Sequence, residues 1–229
     1  MRGSLAILVK LLLLFEVLPT DARAQNVGVT FEKIDPALSD YGAVDQSAIW
    51  RISTISVCWL NHPEFTDGRK WVREAVLETW EANSSAKFVG WRDCGSEGAD
   101  IQILVDESNP RSYIGTHALG HSPSMWLNFT FASWSPSCAE KQKDCIKATA
   151  AHEFGHAAGF AHEQLRSDAP QACKDHLRTT GEWELVDKAP NALTPYDPDS
   201  IMNYCNAIWN NNGKLSKNDI SAIKILFPG

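Results

Sequence analysis

Apolar and polar positions recur along this chain with two different periods, and the period assigns the elements. In RISTISVCWLN, Arg51 to Asn61, Ile52, Thr54 and Ser56 oppose Ile55, Val57 and Trp59, a two-residue alternation rich enough in β-branched side chains to predict a strand. From Arg69 to Asn83 the period lengthens. Trp71, Val72, Ala75, Val76, Thr79 and Trp80 fall on one stripe, which predicts an amphipathic helix packed on a core, with Thr66 as its N-cap. KFVGW and DIQILVDE return to strand character, Ile101, Ile103 and Val105 sharing one face. More strand character surrounds Met125 to Phe131, preceded by the interruptions Gly115, Gly120 and Pro123, and the next helical signal runs from Cys145 to Ala158. Beyond His162 the chain reads as loop, punctuated by Pro170, Pro190, Pro195 and Pro198. A capping box, Ser216 with Asp219, then opens a last helix carrying Ile220, Ile223 and Leu226. Helix followed by strands fits a sheet with a helix on one side, the folded unit beginning near Trp50.

The N-terminus changes the compartment. Arg2, the apolar run LAILVKLLLLFEVL and the small-residue ending DARA read as a secretory signal peptide over residues 1–24. The run is shorter than the roughly 20 apolar residues of a transmembrane anchor and carries Lys10 and Glu16. Residues 25–49 are polar and weakly patterned and read as an arm or short pro-segment, leaving 50–229 as the folded unit. Cleavage after Ala24 removes Arg2, Lys10, Arg23, Glu16 and Asp21, so 21 basic and 28 acidic residues become 18 and 26, and the net charge of −7 becomes −8. That balance argues against nucleic acid or an anionic membrane as partner. All six cysteines lie after the cleavage point and suggest three disulfides, for which 15 pairings exist. Proximity ranks Cys138 with Cys145 first, then Cys58 with Cys94, which leaves Cys173 with Cys205. The absence of any CxxC pair argues against a cysteine zinc site. The sequons at Asn83 and Asn128 are candidate glycan acceptors and hint at exposed loops.

The candidate chemistry lies in AAHEFGHAAGFAHEQLR, Ala150 to Arg166. His152 and His156, four apart among good helix formers, share one helix face and can reach one zinc ion. Glu153 is turned about a quarter of the way round, where it can reach a metal-bound water without being a ligand. Gly159 is the residue best able to end the helix in a left-handed turn, and that turn can bring His162 back as a third ligand. Three neutral imidazoles leave a fourth position open, the arrangement of a catalytic zinc. Glu153 then serves as the base of metal-assisted peptide hydrolysis.

HEFGHAAGFAHE resembles the HExxHxxGxxH signature of metzincin zinc peptidases, and glutamate directly after the third histidine resembles the astacin family among them. SIMNY, Ser200 to Tyr204, is similar to that family's Met-turn. The resemblance, taken to span Trp50 to the C-terminus, implies a zincin-like, two-lobed metallopeptidase domain of α+β class with a twisted sheet, an active-site helix and a loop-rich C-terminal lobe. It implies one zinc per chain on His152, His156 and His162, with Glu153 as general base and Met202 as an apolar floor. Tyr204 would be an extra ligand that swings away to hydrogen-bond the developing oxyanion. Glu163 would be structural, meeting the mature N-terminus or a neighbouring arginine. The strand near THALG or MWLNF is expected to form the upper rim and to pair with extended substrate. Two places leave the family pattern. The family commonly continues HExxRxDRD, whereas HEQLRSDAP keeps Arg166 and Asp168 and then changes, and Cys205 follows Tyr204 directly.

His62, His117, His121 and His176 have no ligand spacing among themselves and read as surface or core histidines, with His117 and His121 as candidates for the cleft border. Trp126, Trp134 and Trp209 are the tryptophans to inspect for exposure. The expected protein is a secreted, monomeric zinc endopeptidase without a membrane anchor, acting on extended polypeptide. The alternative is a secreted, zinc-stabilised binding or toxin-like protein with negligible turnover, against which the presence of Glu153 argues, since a structural zinc needs no base.

Overall fold

The computed structural model describes residues 42–61, 65–133, 135–180 and 191–229. The expected leader, the arm up to residue 41, Trp134 and His62 lie outside the described residues. Regular structure starts before Trp50, at strand β1 (Gly42–Val44), which pairs antiparallel with β7 (Asn191–Leu193) and bridges Phe160 through Val44.

β2 (Thr54–Trp59) is followed by α1 (Thr66–Glu78) and β3 (Lys87–Asp93), a crossover that lays β3 parallel to β2. β4 (Ile101–Val105) pairs parallel with β2 on its other side, β6 (Met125–Leu127) parallel with β4, and β5 (Arg111–Ser112) antiparallel with β6, giving the order β3-β2-β4-β6-β5. The alternation read from sequence matches the buried faces: Ile55, Val57, Trp59, Ile101, Ile103 and Val105 are all in the core. Between Val57 and Cys58 the register slips by one residue opposite Gly90 and Arg92, so Trp91 is the extra residue of a β-bulge. Gly90 takes φ +100° there, and a Cβ on it would lie 2.8 Å from Val57 O, so the bulge needs glycine. The bulge turns Trp91 onto Phe154, ring centroids 5.4 Å apart.

α1 starts earlier than its apolar stripe. Its cap is Phe65, without a side-chain bond, and Thr66 lies inside the helix. Val72, Ala75 and Val76 are buried against α3 (Gln142–Ala158), and Trp80, just past the helix, donates its Nε1–H to Ala151 O at 2.7 Å. A short α2 (Pro136–Glu140) precedes α3. The lobe after Gly159 holds α4 (Gln171–Thr180) and α5 (Lys217–Leu226), the second opened by the expected capping box. α4, β1 and β7 were not legible: α4 is short and mostly polar, and three-residue strands carry no readable period. The disulfides are Cys58–Cys94, Cys138–Cys145 and Cys173–Cys205, the pairing that proximity ranked first. Among the described residues no helix is long and apolar enough to cross a membrane.

Candidate metal and catalytic centre

From Cys145 to Ala158, every α3 residue except Lys147 is buried. A helix buried on all sides should be apolar throughout, so His152, Glu153 and His156 inside it call for a purpose. Gly159 ends the helix with φ +115° and ψ 2°, its N–H donating to His156 O at 2.8 Å. The reversal returns the chain over the last turn, and His162, extended at φ −66° and ψ 133°, faces back toward α3.

The three imidazoles meet there. His152 Nδ1 lies 2.7 Å from Ile201 O and His156 Nδ1 2.8 Å from Phe160 O. A carbonyl only accepts, so both Nδ1 atoms carry the proton and both Nε2 atoms present a lone pair. These Nε2 atoms lie 3.2 and 3.0 Å from Nε2 of His162. Burial first, then mutual repulsion of charge, holds His152 down to about 3, and burial holds His156 down to about 4. His162 is well below its ordinary value for the same reasons as His152. Neutral nitrogens with facing lone pairs repel unless a cation sits between them. A tetrahedral zinc with Zn–N bonds of about 2.05 Å needs nitrogens about 3.3 Å apart, close to the spacing here, so the donor set fits the ion. Among the described residues it is the one cluster of histidine, cysteine or carboxylate groups that could hold a metal.

Glu153 is 4% exposed, and its Oε2 is buried with no hydrogen-bond partner among the described residues. Burial raises its pKa to about 8, opposed by the charge of Arg111 on β5. A dication on the histidines would add to the Arg111 effect. Tyr204 is 43% exposed, its ring centroid 4.3 Å from His162 and 5.4 Å from His152. Met202 is buried, and its Sδ fills the place where a Cβ on Gly155 would stand, so glycine in HEFGH lets the Met-turn approach α3.

Several supporting groups carried no sequence signal, because they are backbone atoms or act across long separations. Ile201 O and Phe160 O orient two histidines. Asp219 of the α5 capping box also accepts from Ser200 Oγ at 2.7 Å and Ile201 N at 3.0 Å, pinning the Met-turn. Glu163 accepts from Asp197 N at 2.8 Å and faces Arg166 Nε at 3.4 Å, so the expected arginine contact is present, while the expected mature N-terminus lies outside the described residues. Gln164 Oε1 accepts from Tyr204 N at 2.9 Å. Arg111 stacks 3.9 Å over the Trp126 ring, a cation beside the site that spacing could not reveal.

The other singled-out segments fall around this centre, and the expected rim and one sequon change. Gly115–Ala118, which overlaps THALG, forms a 3-10 turn and Met125–Leu127 of MWLNF is an inner strand, so the sheet edge beside α3 is β5. His117 sits with Asp45 and Ser47, and His121 stacks on Tyr113. Trp209 is exposed and Trp126 half-buried. Asn128 does not mark an exposed loop: it is buried, and its Oδ1 accepts from Thr130 N and Phe131 N.

The model of the astacin peptidase family matches residues 43–224. Relatives include zinc metalloproteinase dpy-31 of Caenorhabditis elegans, 31% identical over 144 residues, covering 57% of this chain and 21% of that protein. The protein of the same name from Teladorsagia circumcincta is 29% identical, covering 57% and 20%. This chain thus spans about a fifth of the length of these relatives. Among solved structures, myroilysin aligns with a TM-score of 0.60 at 25% identity, over 82% of this chain and 99% of that one. High choriolytic enzyme 1, a hatching enzyme zinc-protease of the medaka Oryzias latipes, aligns at TM-score 0.50 and 18% identity, over 85% of this chain and 96% of that one, a likeness of fold.

Proposed function

Because the chain belongs to the astacin family of peptidases, we propose that it is a secreted zinc endopeptidase that cleaves extended polypeptides with Glu153 as general base. His152, His156 and His162 would hold the metal through Nε2. Zinc at this position supplies Lewis-acid polarisation of the scissile carbonyl and lowers the pKa of water to about 7. Glu153 takes a proton from the attacking water at its unpartnered Oε2 and returns it to the leaving amine nitrogen. A dication on the histidines would lower the Glu153 pKa from its raised, metal-free value and so favour the ionised carboxylate that a base requires. The Tyr204 hydroxyl donates to the developing oxyanion, and Met202 walls the site from below. All these groups come from one chain, so the site is complete without a partner subunit. Three disulfides support an extracellular setting.

The observation that carries this reading is the convergence of three Nε2 atoms beside a buried carboxylate oxygen that has no hydrogen-bond partner among the described residues. The test is cleavage of casein or gelatin by the purified protein, with and without phenanthroline, alongside Glu153→Ala. Cleavage abolished by the chelator and absent in the variant is expected. One bound zinc with no cleavage by the wild type would refute the peptidase and leave a zinc-stabilised binding protein.

A further inference from the structure

We propose that the Cys173–Cys205 bridge and the Gln164 side chain are positioning devices that hold the Tyr204 backbone at the zinc site, an inference that rests on the Tyr204 role proposed above. Tyr204 has 43% of its surface in solvent and lays its ring against His162 and His152, so the place of its backbone sets where the phenol can reach. A donor that must meet a developing charge works only if held to within about 0.5 Å. Its backbone is held on both sides. Tyr204 N donates to Gln164 Oε1 at 2.9 Å, and Gln164 is 1% exposed on the 3-10 turn Glu163–Leu165 that directly follows His162. Beside it, Glu163 N donates to Met202 O at 3.0 Å, so two bonds tie the Met-turn to the turn after the third histidine.

On the other side of Tyr204, Cys205 is joined covalently to Cys173 of α4, and its N–H donates to Asn203 Oδ1 at 2.9 Å. α4 is seated on the same stretch that carries Gln164. Cys173 N donates to Pro170 O at 3.0 Å, Lys174 Nζ to Ser167 O at 2.7 Å, and Arg166 and Asp168 pair through two bonds of 2.8 and 2.7 Å. The two places where this chain leaves the family pattern are therefore one device. SDAP turns the chain into α4, α4 presents Cys173, and Cys173 binds the extra Cys205 after the tyrosine. With the peptide held on both sides, the phenol can swing about its side-chain torsions without moving the Met-turn. None of the anchoring atoms needs to touch substrate.

The test is a double-mutant cycle between Cys173→Ser/Cys205→Ser and Tyr204→Phe. It is read as kcat and KM on a quenched fluorogenic peptide built on a bond the enzyme cuts in casein, with zinc content and melting measured in parallel. Tyr204→Phe should lower kcat about 100-fold. Removing the bridge should lower kcat about 10- to 100-fold, the scale of a 1 Å misplacement, with zinc content retained and KM within about 2-fold. In the Tyr204→Phe background the same removal should cost less than about 2-fold. Losses that multiply in full would overturn the anchoring role alone. A Tyr204→Phe variant with unchanged kcat would remove the tyrosine's role and this inference with it. Should the bridge-free chain not fold, Gln164→Met, with the bridge intact, enters the same cycle: coupling to Tyr204→Phe supports the anchor, and independence sinks it.

Discussion

Gly155→Ala sets two opposing effects against each other at the floor of the site. In an exposed helix interior the change stabilises by about 1 kcal/mol, through lower backbone entropy in the unfolded chain. Here the added Cβ would collide with Met202 Sδ and stand 2.9 Å from Trp80 Cζ2. Neither neighbour has solvent to retreat into, since Met202 is 1% exposed and Trp80 0%, and the indole is held by its bond to Ala151 O. Overpacking of this kind costs about 1–3 kcal/mol, so the net expectation is a loss of about 1 kcal/mol. In a domain of this size that lowers Tm by roughly 2–4 °C. The damage also falls on the site. Displacing Met202 moves Ile201 O, the acceptor that orients His152, and the Tyr204 backbone. Calorimetry with and without zinc, together with casein cleavage, checks this: Tm and activity should both fall, and the zinc-dependent rise in Tm should shrink. A variant that melts about 2 °C higher with full activity would refute the close approach of the Met-turn to α3.

The remaining expectations follow from other contacts. Asp219→Ala strips the acceptor from Ser200 Oγ, Ile201 N and Ser216 N, and should cost at least about 2 kcal/mol in urea denaturation; a loss below about 0.5 kcal/mol would contradict the pinning of the Met-turn. Asp168 has its pKa held below 3.8, chiefly by the hydrogen bonds from Arg166, so its contribution to stability is present above that value and is lost as pH falls through the lower folded value. Asp168→Asn should therefore flatten the fall of stability below about pH 4, and an unchanged acid limb would count against the pair. His162→Ala should lose zinc by elemental analysis while keeping its melting transition in the metal-free state, and retained stoichiometric zinc would refute three-histidine ligation.

What the sequence determined by itself is local. Helical spacing puts His152 and His156 on one face because about 3.6 residues make a turn, and Gly159 ends that helix because only glycine accepts φ +115° without strain. The alternation in β2 and β4 predicts their buried faces because a strand's side chains point to opposite sides. Proximity ranked the three disulfides because short loops close most readily. Only the tertiary structure decided what acts across long separations. The carbonyls of Ile201 and Phe160 choose the histidine tautomers, yet every residue has a carbonyl and none advertises its direction. Asp219 reads as a helix cap and also pins the Met-turn, because packing brings α5 to it. α4 is too polar and short to show a period, but once folded it carries Cys173 to Cys205 and completes the frame around Tyr204. Spacing encodes which groups share an element; the direction in which one element meets another is set by burial of the whole core at once.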